Sequence, residues 1–519
     1  VVQTSLVTSA VPPIAVLLPL LGALAAAPLG RASERVRTTV LALLCASVVG
    51  LAFALIPGVL GGSVYETYLI KLTPTVWMHL RVDAMGALFG ATVAVLWLLA
   101  LVYSAGYMAD EHKLGRYYSF FMVCLAWTMG VAYAGNLLTF LIFYELFSIM
   151  TYPLVVHEET PAAMAAGLKY IVYILIGGSL VLLGVVTTFF LAGEQTLTVG
   201  GLLNAEMDRT TLLVVFWCFI AGFGVKAAIV PLHGWVPDAH PAAPAPFSAV
   251  LSGVMVAAGT FGIMRVFYYI FGVELIAELG VAPVLAGLAA FTVIFAAILA
   301  VNQDNLKRRL AYSTISQMGY VTLGIALLSA QATTGSLVHV ANHAFMKGTL
   351  FLCAGLLIKR AGIHNVSEMA GIARRLPVTM AAFAVAALGM IGTPPLAGFV
   401  SKWYLGLGML EADEGLYLIV LLAGALMAAV YLLPIVYVAY FRKPADDTPP
   451  AAETGAPTVP TEGPDSAASG GPPTHREAPY SMLVPTVIAA SLVILLGLAA
   501  TVPGLPLSLA QMAAESFFP

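Results

Sequence analysis

The chain is poor in charge. Only 9% of its 519 residues are Asp, Glu, Lys or Arg, while 60% are hydrophobic; a soluble domain carries about 25% charged residues. This balance excludes a water-soluble globule. A net charge of -3 excludes the strongly basic surface that a nucleic-acid partner needs. Cysteine is scarce as well. Cys45, Cys124, Cys218 and Cys353 stand alone in apolar runs, with no CxxC pair. No iron–sulfur or zinc site is therefore expected, and the four thiols read as small buried hydrophobes. Neither Gly222-Phe-Gly224 nor Gly406-Leu-Gly408 continues into a dinucleotide fingerprint. The expectation is a chain with no metal, no cofactor, and no redox or hydrolytic chemistry of its own. No cleavable leader stands out, because Arg31 and its neighbours follow the first apolar run instead of preceding it.

What the chain does have is apolar length. Runs of ~20 residues, enough to span a bilayer, recur from residue 11 to residue 503, about fourteen in all. They lack the polar–apolar alternation of barrel strands. The expected fold is all-α, a polytopic membrane protein. Lys and Arg gather after odd-numbered runs: Arg31, Arg35, Arg37, Lys113, Arg116, Lys307 to Arg309, Lys359, Arg360, Arg374, Arg375, Arg442, Lys443 and Arg476. The loops after even-numbered runs hold mainly acids, among them Glu194, Glu206, Asp208, Glu274, Glu278 and Glu411. The positive-inside rule then places the odd loops in the cytoplasm and both termini outside it, in a cell inner (plasma) membrane. Residues 444–480, rich in Pro, Ala, Gly, Glu and Thr, read as a disordered cytoplasmic tether, since they cannot bury a core.

The few ionisable residues inside spans carry the functional reading. His339, His343 and Lys347 recur at four-residue steps in an apolar run, which puts them on one face of a helix. A lysine at mid-bilayer costs about 2.5–3.5 kcal/mol on insertion scales. Three such groups in register read as a proton path rather than as packing. Lys169, Lys226, Arg265 and Lys402 also fall within spans, with Arg265 near a span end, where it can snorkel. Glu145 is the one carboxylate deep in a span, and Lys226 is expected within ion-pair or one-water reach of it. Lys226 lies just before Pro231, and Lys402 just after Pro394-Pro395. Paired, proline-interrupted spans in two halves are a pointer to inverted repeats.

At Lys226-Ala-Ala-Ile-Val-Pro-Leu-His-Gly-Trp-Val-Pro-Asp-Ala-His240 and Asn305-Leu-Lys-Arg-Arg-Leu-Ala-Tyr-Ser-Thr-Ile-Ser-Gln-Met-Gly-Tyr320 the chain resembles a family. It is that of the antiporter-like subunits shared by respiratory complex I, energy-converting hydrogenases and Mrp cation/proton antiporters. The resemblance implies fourteen helices, two inverted five-helix repeats, and broken seventh and twelfth helices. It divides the chain into helices one to three (1–110), a first repeat (111–275), a second repeat (276–443), the tether (444–480) and a last helix (481–519). It also implies a mid-membrane path through Glu145, Lys169, Lys226, His339, His343, Lys347 and Lys402. The eighth helix departs from many relatives: Leu251 to Gly259 contains no ionisable group, so the link between the halves is either carried by water near Ser252 and Thr260 or weakened. Lys402, where one complex I member has glutamate, points to a subunit like the D subunit of Mrp antiporters. The implied partners are other membrane subunits, protons, and Na+ or K+; a complex I-type quinone oxidoreductase or a membrane-bound hydrogenase is the alternative host.

Overall fold

The computed structural model describes residues 5–72, 76–193, 196–443 and 477–518. The expected tether therefore lies outside the described residues, except for its last four. The first helices are α1 (Val11–Ala32), α2 (Glu34–Leu60), α3 (Ala84–Tyr107), α4 (Leu114–Tyr133), α5 (Leu137–Met150) with the short α6 (Tyr152–Val155), α7 (Pro161–Ala192) and α8 (Arg209–Ala227). Then follow α9 (Val236–Ala242), α10 (Ala245–Val250), α11 (Ala257–Arg265), α12 (Val273–Leu279), α13 (Ala282–Val301), α14 (Leu306–Ala326) and α15 (Ala330–Ala361). The series closes with α16 (Pro377–Ile391), α17 (Ala397–Glu411), α18 (Gly415–Phe441), α19 (Tyr480–Leu498) and α20 (Pro506–Phe517). Two π-helical stretches, Leu251–Met255 and Val266–Phe271, complete the rod that begins at α10.

The sequence bounds these helices with side chains that satisfy their first amides. Asp83, Asn136, Asp208 and Asn305 accept from the backbone N–H three residues on, at 2.7, 2.8, 2.8 and 3.0 Å, as N-caps do. Among the described residues, eleven helices are long and apolar enough to cross a membrane. The chain is thus a multi-pass helical membrane protein. The run near 311–330 escapes that measure because α14 carries Ser313, Thr314, Ser316, Gln317 and Thr322 on its buried surface. The run near 378–405 escapes it because it is two short helices, α16 and α17.

Burial sorts the helices into an inner and an outer set. The rod Ala245–Phe271 is wholly buried and α15 almost so, while α1, α2 and α18 leave most of their surface outward. Outward residues are apolar, for example Leu24, Phe190 and Leu426. Of the inner set, α15 carries His339, His343 and Lys347, where neighbouring protein can satisfy them.

A small sheet not announced by the apolar runs joins the first two hairpins. β1 (Ser5–Thr8) pairs in parallel with β2 (Ser63–Lys71), which pairs antiparallel with β3 (Trp77–Val82). Ion pairs tie loops that the charge pattern assigns to one side. Lys113 and Arg116 meet Glu159 at 2.7 and 2.5 Å, and Lys359 meets Asp110 at 3.4 Å. At the other end Arg81 pairs with Glu66 at 3.0 Å. Arg265 does not snorkel: its guanidinium grips Asp83 at 2.5 and 3.2 Å, and Tyr269 donates to the same carboxylate at 2.6 Å. A charge near a span end can fold inward when a carboxylate waits there.

Candidate functional site

The stripe on α15 is buried whole. His339, His343 and Lys347 are each 0% exposed, and helix faces packed on α15 come from α14, α17 and the π-helical stretch Leu251–Met255. Lys347 Nζ donates to Ser313 Oγ at 2.7 Å and to the Leu310 carbonyl at 3.3 Å. Tyr431 donates to the same Ser313 hydroxyl at 3.0 Å. His339 Nδ1 bonds Ser401 Oγ at 2.8 Å, and its ring lies 6.0 Å from that of His343. His343 faces the Gly253 carbonyl without closing a hydrogen bond to it, and both of its ring nitrogens lack a protein partner. So do His339 Nε2 and both ends of the Gln317 amide. Buried polar atoms are nearly always hydrogen-bonded, so a cluster of orphans marks a place for water.

Two interrupted helices flank this stripe. α16 stops at Ile391, where Gly392 takes the left-handed backbone (φ 96°) open to glycine. Lys402, one residue after Ser401 on α17, reaches back and donates to the freed carbonyls of Met390 and Ile391 at 2.8 and 2.7 Å. Its ammonium stands 5.3 Å from the Tyr320 ring centre. On the other flank α8 ends at Ala227, and the indole of Trp235 donates to the Val225 carbonyl at 2.8 Å. Lys226, also 0% exposed, lies 4.4 Å from the Phe147 ring and donates to Tyr170 Oη at 3.1 Å.

Glu145 and Lys226, the expected pair, lie within electrostatic reach of each other without direct contact: the lysine takes Tyr170, and Glu145 Oε1 has no protein partner, consistent with reach through one water. Aromatic faces beside Lys226 attract its ammonium. One expectation fails here: Lys169 does not join the buried row. It is 42% exposed and pairs with Asp238 at 2.7 Å, beside Arg308, 3.5 Å from the same carboxylate. Sitting in the third turn of α7, it reaches the loop end of the bundle. The tether boundary also shifts, because Glu477 accepts from the amides of Val378 and Thr379 at 2.6 and 3.2 Å and so caps α16.

The eighth span offers only hydroxyls between the two lysine sites. Ser252 and Thr314 share a hydrogen bond of 2.6 Å, and Thr260 bonds back to the Ala257 carbonyl at 2.8 Å. The π-helical turn at Leu251–Met255 carries Ser252, and such turns are frequent at functional sites. Sequence reasoning missed Ser313, Gln317, Tyr320, Tyr431 and Tyr170. The first three were legible, since steps of four and three residues place them on one face of α14. Outside the spans, hydrogen bonds from Lys113 and then Arg116 hold the Glu159 carboxyl down to about 2, and burial pushes His157 down to about 4.

Residues 134–428 match the family model described as "NADH:quinone oxidoreductase/Mrp antiporter, TM". The chain is 34% identical over 498 residues to NADH-quinone oxidoreductase subunit N of Desulforudis audaxviator, covering 95% of this chain and 96% of that one. It is 32% identical over 350 residues to hydrogenase-4 component B of Escherichia coli, covering 63% of this chain and 50% of that protein. Its fold is shared with a chain of the Mrp complex of Dietzia sp. DQ12-45-1b, at a TM-score of 0.85 and 23% identity over 98% of both. A chain of respiratory complex I from Thermus thermophilus shares it at 0.78 and 22%, covering 98% of this chain and 100% of that one.

Proposed function

The chain belongs to the NADH:quinone oxidoreductase/Mrp antiporter transmembrane family, and on that premise we propose that it is the proton-conducting membrane subunit of a multi-subunit complex. The observation that carries this reading is the buried row on α15. Three titratable side chains lie wholly inside a membrane helix, with orphaned ring nitrogens between two lysines. Intramembrane ionisable residues facing the bundle interior mark ion paths. In this reading protons pass by way of Lys226, the Ser252–Thr314 hydroxyls, Lys347, His343 and His339, and on to Lys402. Glu145 stands at the Lys226 end.

Two hosts are consistent with the row. An Mrp-type antiporter, with a D-like role and Na+ or K+ as the exchanged ion, is supported by Lys402 and by the shared fold. A quinone oxidoreductase is supported by 34% identity along nearly the whole chain. In either host the stretches 111–275 and 276–443 act as the two repeats, a reading supported by their interrupted helices at Ala227 and Ile391. The termini lie outside the cytoplasm, a reading supported by the charge pattern of the loops.

The test is proton flux in vesicles holding the whole complex. Lys347→Ala is expected to abolish it at unchanged assembly, and wild-type flux in that variant would make the row structural. Dependence of the wild-type flux on added Na+ or K+ selects the antiporter; dependence on quinone reduction selects the oxidoreductase.

A further inference from the structure

Where α7 meets α9 and α14 the surface opens into a cavity of about 530 Å³, and no member of the buried row lines it. Its charged wall is Glu158, Lys169, Asp238 and Arg308, and Ala162, Ala165 and Ala166 of α7 leave the space open. Lys169 and Arg308 share one carboxylate: Asp238 accepts Lys169 Nζ at 2.7 Å and stands 3.5 Å from the Arg308 guanidinium. Two cations and one anion leave this end with one positive charge over. Glu158 supplies the opposite sign. It is partly buried and closes no hydrogen bond or ion pair among the described residues. The lysines that act on it at a distance, Lys307 and Lys359, are engaged elsewhere. Lys307 donates to the Ala243 and Pro241 carbonyls, and Lys359 pairs with Asp110 and Glu111. The groups are also ordered along α7. Glu158 precedes the helix, Lys169 lies about two turns into it, and Val172 and Ile176 follow on the same side at steps of three and four, both exposed. The loop after the α8 break lies between α7 and α13: a Cβ on Gly234 would stand 2.6 Å from Tyr173 Oη, and His233 meets Phe295 edge-on at 5.8 Å. The outward surface beyond Lys169 is apolar on both flanks, with Val172 and Ile176 on α7 and Phe291 and Ile298 on α13.

We propose that this cavity is a headgroup site for a zwitterionic aminophospholipid of the phosphatidylethanolamine type. The phosphodiester, with its single negative charge, meets Lys169 and Arg308. The ammonium meets Glu158, and the tails lie on the apolar surface of α7 and α13. The order of the groups is that of the lipid: its phosphate lies between tails and ammonium, as Lys169 lies between Ile176 and Glu158 along the chain. A guanidinium fork matches paired phosphate oxygens, and a lysine near a helix end brings its charge to the interface. Basic pockets between membrane helices are known to take lipid headgroups. A purely structural ion pair accounts for Lys169, Asp238 and Arg308 but leaves Glu158 unmatched across the same cavity. A lipid with a phosphate and no amine would set a second negative charge before Glu158. The assignment stands apart from the proton-conducting reading of the chain.

The experiment places the intact complex in vesicles with trace phosphatidylethanolamine or phosphatidylglycerol whose identical tails carry a photoactivated diazirine. Peptide mass spectrometry maps the label. In the wild type it should fall on α7 and α13 around Val172 and Phe291, with phosphatidylethanolamine ahead by about fivefold, the worth of a partly exposed ion pair. Glu158→Gln removes the partner of the amine and should erase that preference. Ala165→Phe fills the cavity without touching a charge and should lower the label from phosphatidylethanolamine at these segments. Equal labelling by the two lipids in the wild type overturns the assignment, and so does a preference that survives Glu158→Gln. If Glu158→Gln fails to assemble, Ala165→Phe decides, and an undiminished label in it overturns the site. Wild-type segments without label mean that a neighbouring subunit covers this face, which also overturns it. Displacement of the label by soluble glycerophosphoethanolamine makes the cavity a site for a free phosphoester instead of a lipid.

Discussion

The two broken helices meet the same physical problem in different ways. A helix that stops inside the bundle frees carbonyls that water would otherwise bond. At the end of α8 the donor is neutral: the Trp235 indole bonds the Val225 carbonyl, and Lys226 is left among aromatic rings. At the end of α16 the donor is the charge itself: Lys402 bonds both the Met390 and Ile391 carbonyls. Both ammonium groups lie at a helix C-terminus, where the dipole favours a cation. Only Lys402, however, also serves as the cap. Lys226 can lose its proton without orphaning a carbonyl. When Lys402 loses its proton it weakens its hold on the break, which couples titration to the geometry of α16 and α17.

The sharpest way to break this comparison is to remove each charge in turn. Lys402→Met should abolish flux and also lower stability by about 2 kcal/mol, the worth of hydrogen bonds to a charged group. Lys226→Met should abolish flux with stability equal or higher, since a buried charge is removed and Tyr170 keeps its bond to the Ser148 carbonyl. Thermal unfolding of the detergent-solubilised complex reads the difference, and equal losses for the two variants would erase the distinction. Trp235→Phe is the complementary change. It should cost about 1 kcal/mol in the same melt by orphaning the Val225 carbonyl.

Smaller effects are expected within the row and at its margins. His343→Ala should slow proton flux without stopping it, because water can replace an imidazole whose nitrogens have no protein partner. Lys169→Ala should barely change flux. Its half-exposed pair with Asp238 is worth at most about 1 kcal/mol. Replacing 444–476 by a Gly/Ser segment of equal length should change neither assembly nor flux. Glu477→Ala alone should cost about 1 kcal/mol as a lost helix cap, read in the same thermal melt. A tether replacement that prevents assembly would turn those residues into a docking segment.

Much of the molecule was legible before any coordinates. Apolar length and scarce charge decide membrane residence, because no soluble fold tolerates either. Four-residue spacing decides that His339, His343 and Lys347 share a face, because the helical period is local. The interruptions after Lys226 and before Lys402 follow from glycine and proline at those positions. The small sheet was not legible, since its strands are short and one is only four residues long. Neither was α20, an amphipathic helix after the last apolar run, whose Phe517 stacks on Tyr268 at 4.2 Å.

Partnership was decided only in three dimensions. Lys169 and Lys226 are alike in the sequence, each a single charge in an apolar run. One turns to a surface carboxylate and the other into an aromatic cage, because rotation about the helix axis and depth in the bundle depend on which neighbours pack there. The same holds for Glu145, whose expected partner Lys226 turns its direct hydrogen bond to Tyr170, and for Arg265, which found Asp83 far away in the chain. A period of 3.6 residues fixes which side chains stand together on one helix; which helix they face is fixed by the packing of all the others.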